Sequence, residues 1–321
     1  MATVLVTGAT GFVGRRLCEA LARAGHVVHA ALRSDRATPA GVARSTVVGD
    51  IGASTSWEAA LDGSVDTVIH LAARTHVLHD SPAKAAAYSE INEHGTERLA
   101  NAAASAGVRR FIYVSSVKVN GEQTTDRPFT GSDAPRPLDA YGRSKQQGEM
   151  KLMDVAARTG LQAVIVRPPL VYGPGVGANF LRLMRWVDRG LPLPLGAVRN
   201  ARSLVNVDNL CDLLRHAVTS AAAPGRVWMV SDCEDVSTPD LLRQIGAAMR
   251  RRVRLLPIPV SALRAAATLL GRQQEVMRLC GSLTVDVEPT RTLLQWQPPV
   301  TLQSGLVQTV EAYMRERGRA I

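Results

Sequence analysis

The chain has 321 residues, 46% of them hydrophobic and 21% charged, which suits one large unit or two intimate lobes around a packed core and excludes a disordered chain. A formal net charge of +10 favours anionic partners, yet aromatics make up only 4% of the chain and no nucleic-acid motif is present, so nucleic acid is not an expected partner. No apolar run reaches the ~18–20 residues that a membrane helix needs, so no transmembrane segment is expected.

The elements alternate from the N-terminus. Val4–Val6 predicts a first strand, with no signal-peptide pattern before it. Val13, Leu17, Leu21 and Ala24 share one face of a following helix. Val27–Leu32 and Thr67–Leu71 predict further strands, and a long helix is expected around Tyr88–Ala106. Arg110–Val114, a helix about Ala140–Arg158, and Ala163–Val166 complete the series. Such alternation implies an α/β fold with a Rossmann-type, doubly wound parallel sheet covered on both faces. After Arg167 prolines and glycines crowd the chain and the pattern turns helical. A smaller substrate-binding lobe is expected over roughly 168–201 and 231–321, with the first domain spanning 1–167 and the chain returning to its sheet around 202–230. Leu255–Leu270, broken by Pro257, Pro259 and Arg264, reads as a core-facing helix with its lead-in rather than a peripheral membrane contact. Cys18, Cys211, Cys233 and Cys280 are scattered, which suits a reducing cytoplasm and suggests neither a disulfide framework nor a metal site. His76-x-x-His79-Asp80 has metal-like spacing but stands alone, and no metal is expected.

Gly8, Gly11 and Gly14, three apart, follow the first strand and open the first helix. Glycines there allow a tight turn and close backbone approach, and the helix N-terminus presents N–H groups to a pyrophosphate. A dinucleotide cofactor is therefore expected. At the end of the second strand an Asp or Glu would hold the ribose of NAD, whereas an Arg accommodates the 2′-phosphate of NADP. Leu32 occupies that place, followed by Arg33 and Arg36. NADP is the favoured cofactor, with NAD as the alternative.

Tyr141 and Lys145 share one face of a predicted helix. An ammonium near a phenol favours the phenolate, so Lys145 is expected to lower the pKa of Tyr141. Ser115-Ser116 stands at the end of an upstream strand, the edge where such sheets place their chemistry.

Together with Thr7–Gly14, Asp50-Ile51, His70–Ala73, Asn92, Gly95-Thr96, Arg167-Pro168 and Tyr172–Pro174, this order of motifs resembles the extended short-chain dehydrogenase/reductase superfamily. Arg291-x-x-x-x-Trp296-x-Pro298 extends the resemblance towards the C-terminus. It implies Tyr141 as acid or base, Lys145 as the residue that tunes it and holds the nicotinamide ribose, and Ser116 on the substrate oxygen. It further implies Gly8, Thr10, Gly11, Phe12, Val13 and Gly14 along the pyrophosphate, Asp50 and Ile51 near the adenine, and Leu71, Ala72, Ala73 and Pro168 along the cofactor. A homodimer through the helices Tyr88–Ala106 and Ala140–Arg158 is also implied.

Three further segments resemble those of enzymes acting on nucleotide-activated, UDP-linked sugars. Asn179 stands where such enzymes meet the diphosphate, Leu193 and Leu195 where they pack on the base, and Arg202 where an arginine binds the diphosphate. Related dehydratases carry Asp–Glu directly after the serine; here Val117 and Lys118 stand there, so elimination lacks its acid and base. Lys118 is a candidate sugar contact. The favoured expectation is an NADP-dependent 4-keto reductase of a UDP-4-keto-6-deoxy-N-acetylhexosamine, serving surface-polysaccharide synthesis. The alternatives are a UDP-hexose or UDP-N-acetylhexosamine 4-epimerase with bound NAD, a reductase of steroid-like or flavonoid-like ketones, and an inactive NADP-sensing or scaffold protein.

Overall fold

A computed structural model describes residues 1–35, 37–75 and 82–318. Arg36 and the His76-x-x-His79-Asp80 cluster lie outside the described residues. Nine strands are formed among those residues: β1 (Thr3–Thr7), β2 (Val27–Leu32), β3 (Arg44–Val47), β4 (Thr67–His70), β5 (Arg110–Val114), β6 (Gln162–Arg167), β7 (Leu170–Tyr172), β8 (Leu204–Asn206) and β9 (Arg226–Met229). Seven form one parallel sheet in the order β3-β2-β1-β4-β5-β6-β9, the Rossmann-like arrangement expected. β3 lies at its edge, with Val47 half exposed. The strand order reverses between β1 and β4, so the loops leaving β1 and β4 part there and open a crevice at the C-terminal edge.

α1 (Phe12–Arg23) and α6 (Val207–Thr219) pack on one face of the sheet. Leu17 and Leu21 meet Leu210, Leu213 and Leu214 there. On the other face lie α3 (Gly95–Ser105) and α4 (Ala140–Thr159), where Leu99, Ala103, Leu152 and Val155 are fully buried. β6 and its neighbours read as continuous apolar runs because both faces are covered.

The long helix expected around Tyr88–Ala106 is interrupted. α2 (Pro82–Ser89) leads into a wide π-turn, Glu90–His94, before α3 begins. Two close contacts fix this detour: a Cβ on Gly95 would lie 2.7 Å from Ile51 Cγ2, and the Asn92 carbonyl accepts a hydrogen bond from the Tyr113 hydroxyl at 3.2 Å.

A second core gathers α5 (Ala178–Asp188), α7 (Thr238–Ala248) and α11 (Leu302–Glu316), around Phe180, Met184, Leu242, Ile245 and Val310. The expected return of the chain divides. β8 pairs with β7 in a separate two-stranded sheet, and β9 joins the large sheet beside β6. α8 (Val260–Leu269), α9 (Gln273–Cys280) and α10 (Glu288–Leu293) follow. The Leu255–Leu270 segment faces the core along one side only, where Leu255, Val260 and Leu263 pack against the second core. α8 packs on α9, only Ala267 of it is buried, and Leu269 and Leu270 stand in solvent. Periodicity gave the helix but not the side that would be covered.

Candidate functional site

The glycine loop is built by close backbone approach. Gly8 has φ +68°, and a Cβ there would lie 2.8 Å from the Ala72 nitrogen; a Cβ on Gly14 would lie 2.1 Å from the Gly8 carbonyl oxygen. α1 therefore starts against the ends of β1 and β4. Its N-cap, Gly11, makes no side-chain capping bond, and its first turn carries no acidic residue. Its leading N–H groups are thus suited to an anion. Thr7 Oγ1 lies 2.7 Å from His70 Nδ1 and accepts from the Ala72 N–H at 3.1 Å, which sets the spacing of the two strand ends. His70 is fully buried, which pushes its pKa down to about 3 and keeps it neutral. The loop geometry thus fits a dinucleotide pyrophosphate.

Arg33, at the end of β2, is engaged by Asp50: Nε lies 2.6 Å from Oδ1, with the side chains 79% and 74% exposed. Sequence reading gave these two residues separate tasks; the structure joins them in one surface pair. Ile51 packs under Gly52 and Gly95 at the edge of the second sheet face.

A cavity of about 360 Å³ opens at the crevice. Val13, Leu71, Ala73 and Pro168 border its inner end, together with Ser116, Tyr141 and Lys145. Asp139 caps α4 by accepting from the Gly142 N–H at 2.7 Å, so Tyr141 and Lys145 sit in its first turns. The Ser116 hydroxyl hydrogen-bonds the Tyr141 phenol, and the rings of Tyr88 and Tyr141 meet edge to face at 6.0 Å. Asn92 braces this corner: its side chain binds both the N–H and the carbonyl of Arg74 and donates to the Ser144 hydroxyl at 2.9 Å.

The electrostatics run against the expected direction. Burial pushes the Tyr141 phenol up to about 12, with the Ser116 hydrogen bond opposing it. Burial also pushes Lys145 down to about 7, with the Glu149 carboxylate opposing that shift. Lys145 Nζ lies over the Tyr113 ring, 4.1 Å from its centroid. The lysine therefore shares its charge with Tyr113 and Glu149, and loss of water dominates at the tyrosine. Glu149 is in turn gripped by Arg167, at 2.9 and 2.5 Å, and Arg167 also donates to Asn120 Oδ1 at 3.0 Å.

Lys118 lines the cavity with only 13% of its side chain exposed. It pairs with Glu122 at 2.8 Å and with Asp139. Glu122 also reaches the cavity wall, a carboxylate that sequence reading passed over.

The outer end is a cationic wall. Asn179 Oδ1 accepts from Arg182 at 2.7 Å, and Arg182, Trp186, Arg202, Glu275 and Arg278 complete the lining. Arg202 is held by the carbonyls of Arg278 and Gly281, to which it donates at 2.8 and 3.2 Å. Burial lowers its pKa, with Glu122 opposing. Arg278 Nε is buried with no hydrogen-bond partner among the described residues. Sequence reading missed Arg182, Trp186 and Arg278. Asn179, Arg182, Leu183 and Trp186 lie one, two and three steps along the same face of α5, a stripe visible in the sequence. Leu193 and Leu195 do not line this cavity; they are buried among the apolar residues of the second core, because their side chains pair with that core rather than with the opening. Among the described residues no cluster suited to a metal ion is found, and no helix is long and apolar enough to cross a membrane.

A family model described as NAD dependent epimerase/dehydratase matches residues 4–231. A UDP-glucose 4-epimerase from Vibrio cholerae is 41% identical over 321 residues, covering 99% of this chain and 97% of the relative. An N-acetyl-alpha-D-glucosaminyl-diphospho-ditrans,octacis-undecaprenol 4-epimerase from Escherichia coli O157:H7 is 25% identical, covering 96% and 94%. Among solved structures, MoeE5 in complex with UDP-glucose and NAD superposes with a TM-score of 0.79 at 28% identity, covering 98% of this chain and 99% of the other.

Proposed function

The chain belongs to the NAD dependent epimerase/dehydratase family, the epimerase and dehydratase side of the extended short-chain dehydrogenases, and from that premise we propose that it is a UDP-sugar 4-epimerase that uses NAD. The observation that carries this reading is the arrangement of one cavity. A buried Ser116–Tyr141 hydrogen bond lies at its inner end and an arginine wall, with a buried unpartnered donor on Arg278, at its outer end. Such a cavity suits a sugar held by its diphosphate. The near full-length identity to the Vibrio cholerae enzyme supports the choice of reaction.

In this reading Tyr141 takes the proton of the sugar C4 hydroxyl, and Ser116 hydrogen-bonds the same oxygen as it becomes a carbonyl. Gly8, Gly11 and Gly14, with Ala72, Ala73 and Pro168 beside them, would hold the dinucleotide, which would supply reversible hydride chemistry at C4. Tyr141 then returns its proton to the oxygen. Inversion at C4 requires the oxidised sugar to turn its other face to that group before the proton returns. Lys145 supplies positive charge beside the phenolate and a donor for the ribose. Arg202, Arg278 and Arg182, with Asn179, hold the diphosphate, for which a guanidinium fork is suited. Lys118, between Glu122 and Asp139, presents polar atoms to the sugar ring. α3 and α4 form the dimer face in this proposal; Met150 and Met153 of α4 are 51% and 40% exposed.

A second reading, the NADP-dependent 4-keto reductase, is favoured by one feature: no carboxylate stands at the end of β2, where Leu32-Arg33 is found and Asp35 lies three residues on. The experiment that separates them is product NMR. Purified protein without added cofactor is incubated with UDP-glucose or UDP-N-acetylglucosamine. Interconversion with the galacto epimer supports the epimerase. Inertness there, together with NADPH oxidation on a UDP-4-keto-6-deoxy-N-acetylhexosamine, rejects it in favour of the reductase.

A further inference from the structure

The segment 241–274 contains no Asp or Glu, the longest such stretch to include so many arginines in this chain. Arg250, Arg252, Arg254, Arg264 and Arg272 have no carboxylate partner among the described residues, whereas Arg251 is neutralised by Asp188 at 3.2 Å. This basic run leads directly into α8. There Ala262, Ala265, Ala266 and Leu269, at the i, i+3, i+4, i+7 spacing of one helical face, are all exposed. Leu269 is 88% exposed, Leu270 beside it 71%, and Leu256 at the other end 46%. The inner edge of the helix, through Val260, Leu263 and Ala267, packs on the second core and α9. The helix thus turns one apolar side inward and a second apolar side to water, with Ser261, Arg264 and Thr268 between them. A solvated surface helix has no use for the outer stripe.

We propose that the α8 face, with its flanking arginines, docks on an anionic lipid surface, inserting Leu269 and Leu270 into the interface while the arginines meet acidic headgroups. The composition is that of an interfacial helix: an apolar stripe flanked by cationic side chains. A second copy of the chain is the poorer occupant. A two-fold contact sets a patch against itself, which would oppose unpaired arginines to arginines with no acid in the segment to separate them. α9 provides Arg278 and Leu279 to the cavity wall, so docking through α8 brings the outer end of the cavity beside the lipid surface. This placement does not depend on which reaction the cavity performs.

The test is co-sedimentation of the full chain with vesicles of phosphatidylglycerol and phosphatidylethanolamine, against vesicles of phosphatidylcholine alone. Binding to the anionic vesicles is expected to exceed binding to the neutral ones by at least about tenfold and to weaken with salt. Leu269→Glu with Leu270→Glu should lower anionic-vesicle binding by about tenfold or more. Arg252→Glu with Arg264→Glu should do the same. Arg23→Glu with Arg109→Glu makes the same charge change at two exposed positions outside α8 and its flanks and should leave binding near wild type. Circular dichroism and turnover of soluble substrate should be unchanged in all of these variants, since each replaced side chain is at the surface. Equal binding of the leucine variant and the wild type overturns the proposal. So does a loss as large in the Arg23/Arg109 control, or a wild-type dimer that the leucine variant converts to monomer.

Discussion

Replacing Arg33 with Ala separates the two cofactor readings. The Arg33–Asp50 pair is 79% and 74% exposed at its two side chains, and a pair so open to water contributes at most about 1 kcal/mol. For a chain of this size such a loss lowers Tm by no more than about 2–4 °C, so the variant remains folded and its cofactor affinity can be read directly. A guanidinium contact to a 2′-phosphate contributes about 1.5–3 kcal/mol, which is about 10–150-fold in Kd. NAD has no 2′-phosphate. If NAD is the cofactor, Arg33→Ala should change its Kd by less than about threefold, under about 0.7 kcal/mol. A companion variant, Asp50→Asn, removes the carboxylate that both occupies the Arg33 fork and repels a phosphate; it should raise NADP affinity by about tenfold while leaving NAD nearly unchanged. Calorimetric titration of cofactor-stripped protein with NAD and NADP measures both, and acid release identifies the nucleotide carried through purification. A wild-type preference for NADPH above about tenfold, abolished in Arg33→Ala, would refute the reasoning and move the assignment to the reductase.

Tyr141→Phe keeps the ring against Tyr88 but removes the proton carrier, and should cost about 10²–10⁴ in turnover with cofactor binding unchanged; more than about a tenth of wild-type activity in steady-state assays removes Tyr141 from its role. Arg202→Ala should weaken UDP binding by about 1.5–3 kcal/mol and, by freeing the carbonyls of Arg278 and Gly281, also lower Tm; unchanged calorimetric UDP affinity rejects the diphosphate contact. Gly14→Ala drives a Cβ to 2.1 Å from the Gly8 oxygen, so it should lose dinucleotide affinity and about 1–3 kcal/mol of stability; a variant that binds cofactor as wild type contradicts the packed loop. Lys145 has a folded-state pKa of about 7 against 10.5 for the free side chain. Between those values the unfolded chain binds a proton that the folded chain does not, so this residue makes stability rise with pH across that window and level off above it. Denaturant unfolding at several pH values should show that slope and lose a few kcal/mol of it in Lys145→Met; an identical pH profile in the variant is the contrary result.

What the sequence disclosed was either local or fixed to a strand end. The turn from β1 into α1, the Tyr141–Lys145 spacing and Ser116 at the end of β5 each depend on a few neighbouring residues, and the parallel sheet brings those ends together. The arginine wall was only partly legible, because Arg278 comes from α9 and reaches Arg202 through a backbone carbonyl remote in sequence. Its other component, the Asn179–Arg182–Trp186 stripe, was present as helical spacing before the structure. Leu193 and Leu195 were assigned to the base because alternating leucines look alike whether they face a ligand or a core; the second core decided between the two. The direction of the Tyr141 shift failed for a related reason. Spacing reveals that a lysine is near a tyrosine, but not that both are removed from water, and burial proved the larger influence.

The buried Arg167–Glu149 pair explains how that burial is tolerated at Lys145. Its side chains are 4% and 7% exposed, and a buried pair of this kind is seldom favoured over apolar residues for stability alone. Its position gives another reason for it. Arg167 ends β6 and Glu149 lies one helical turn beyond Lys145 on α4, so the guanidinium fixes the carboxylate where its charge raises the Lys145 pKa against desolvation. Asn120, in the loop after β5, receives the remaining guanidinium donor and ties the Ser116 segment to the same unit. Strand end, helix and loop are thereby locked at the point where Ser116, Tyr141 and Lys145 converge. The outer wall has separate ties, through Arg202 to the carbonyls near α9. In the proposed reading, proton transfer and diphosphate binding thus rest on different hydrogen-bond networks, which is why substitutions at Tyr141 and at Arg202 are expected to divide between kcat and substrate affinity.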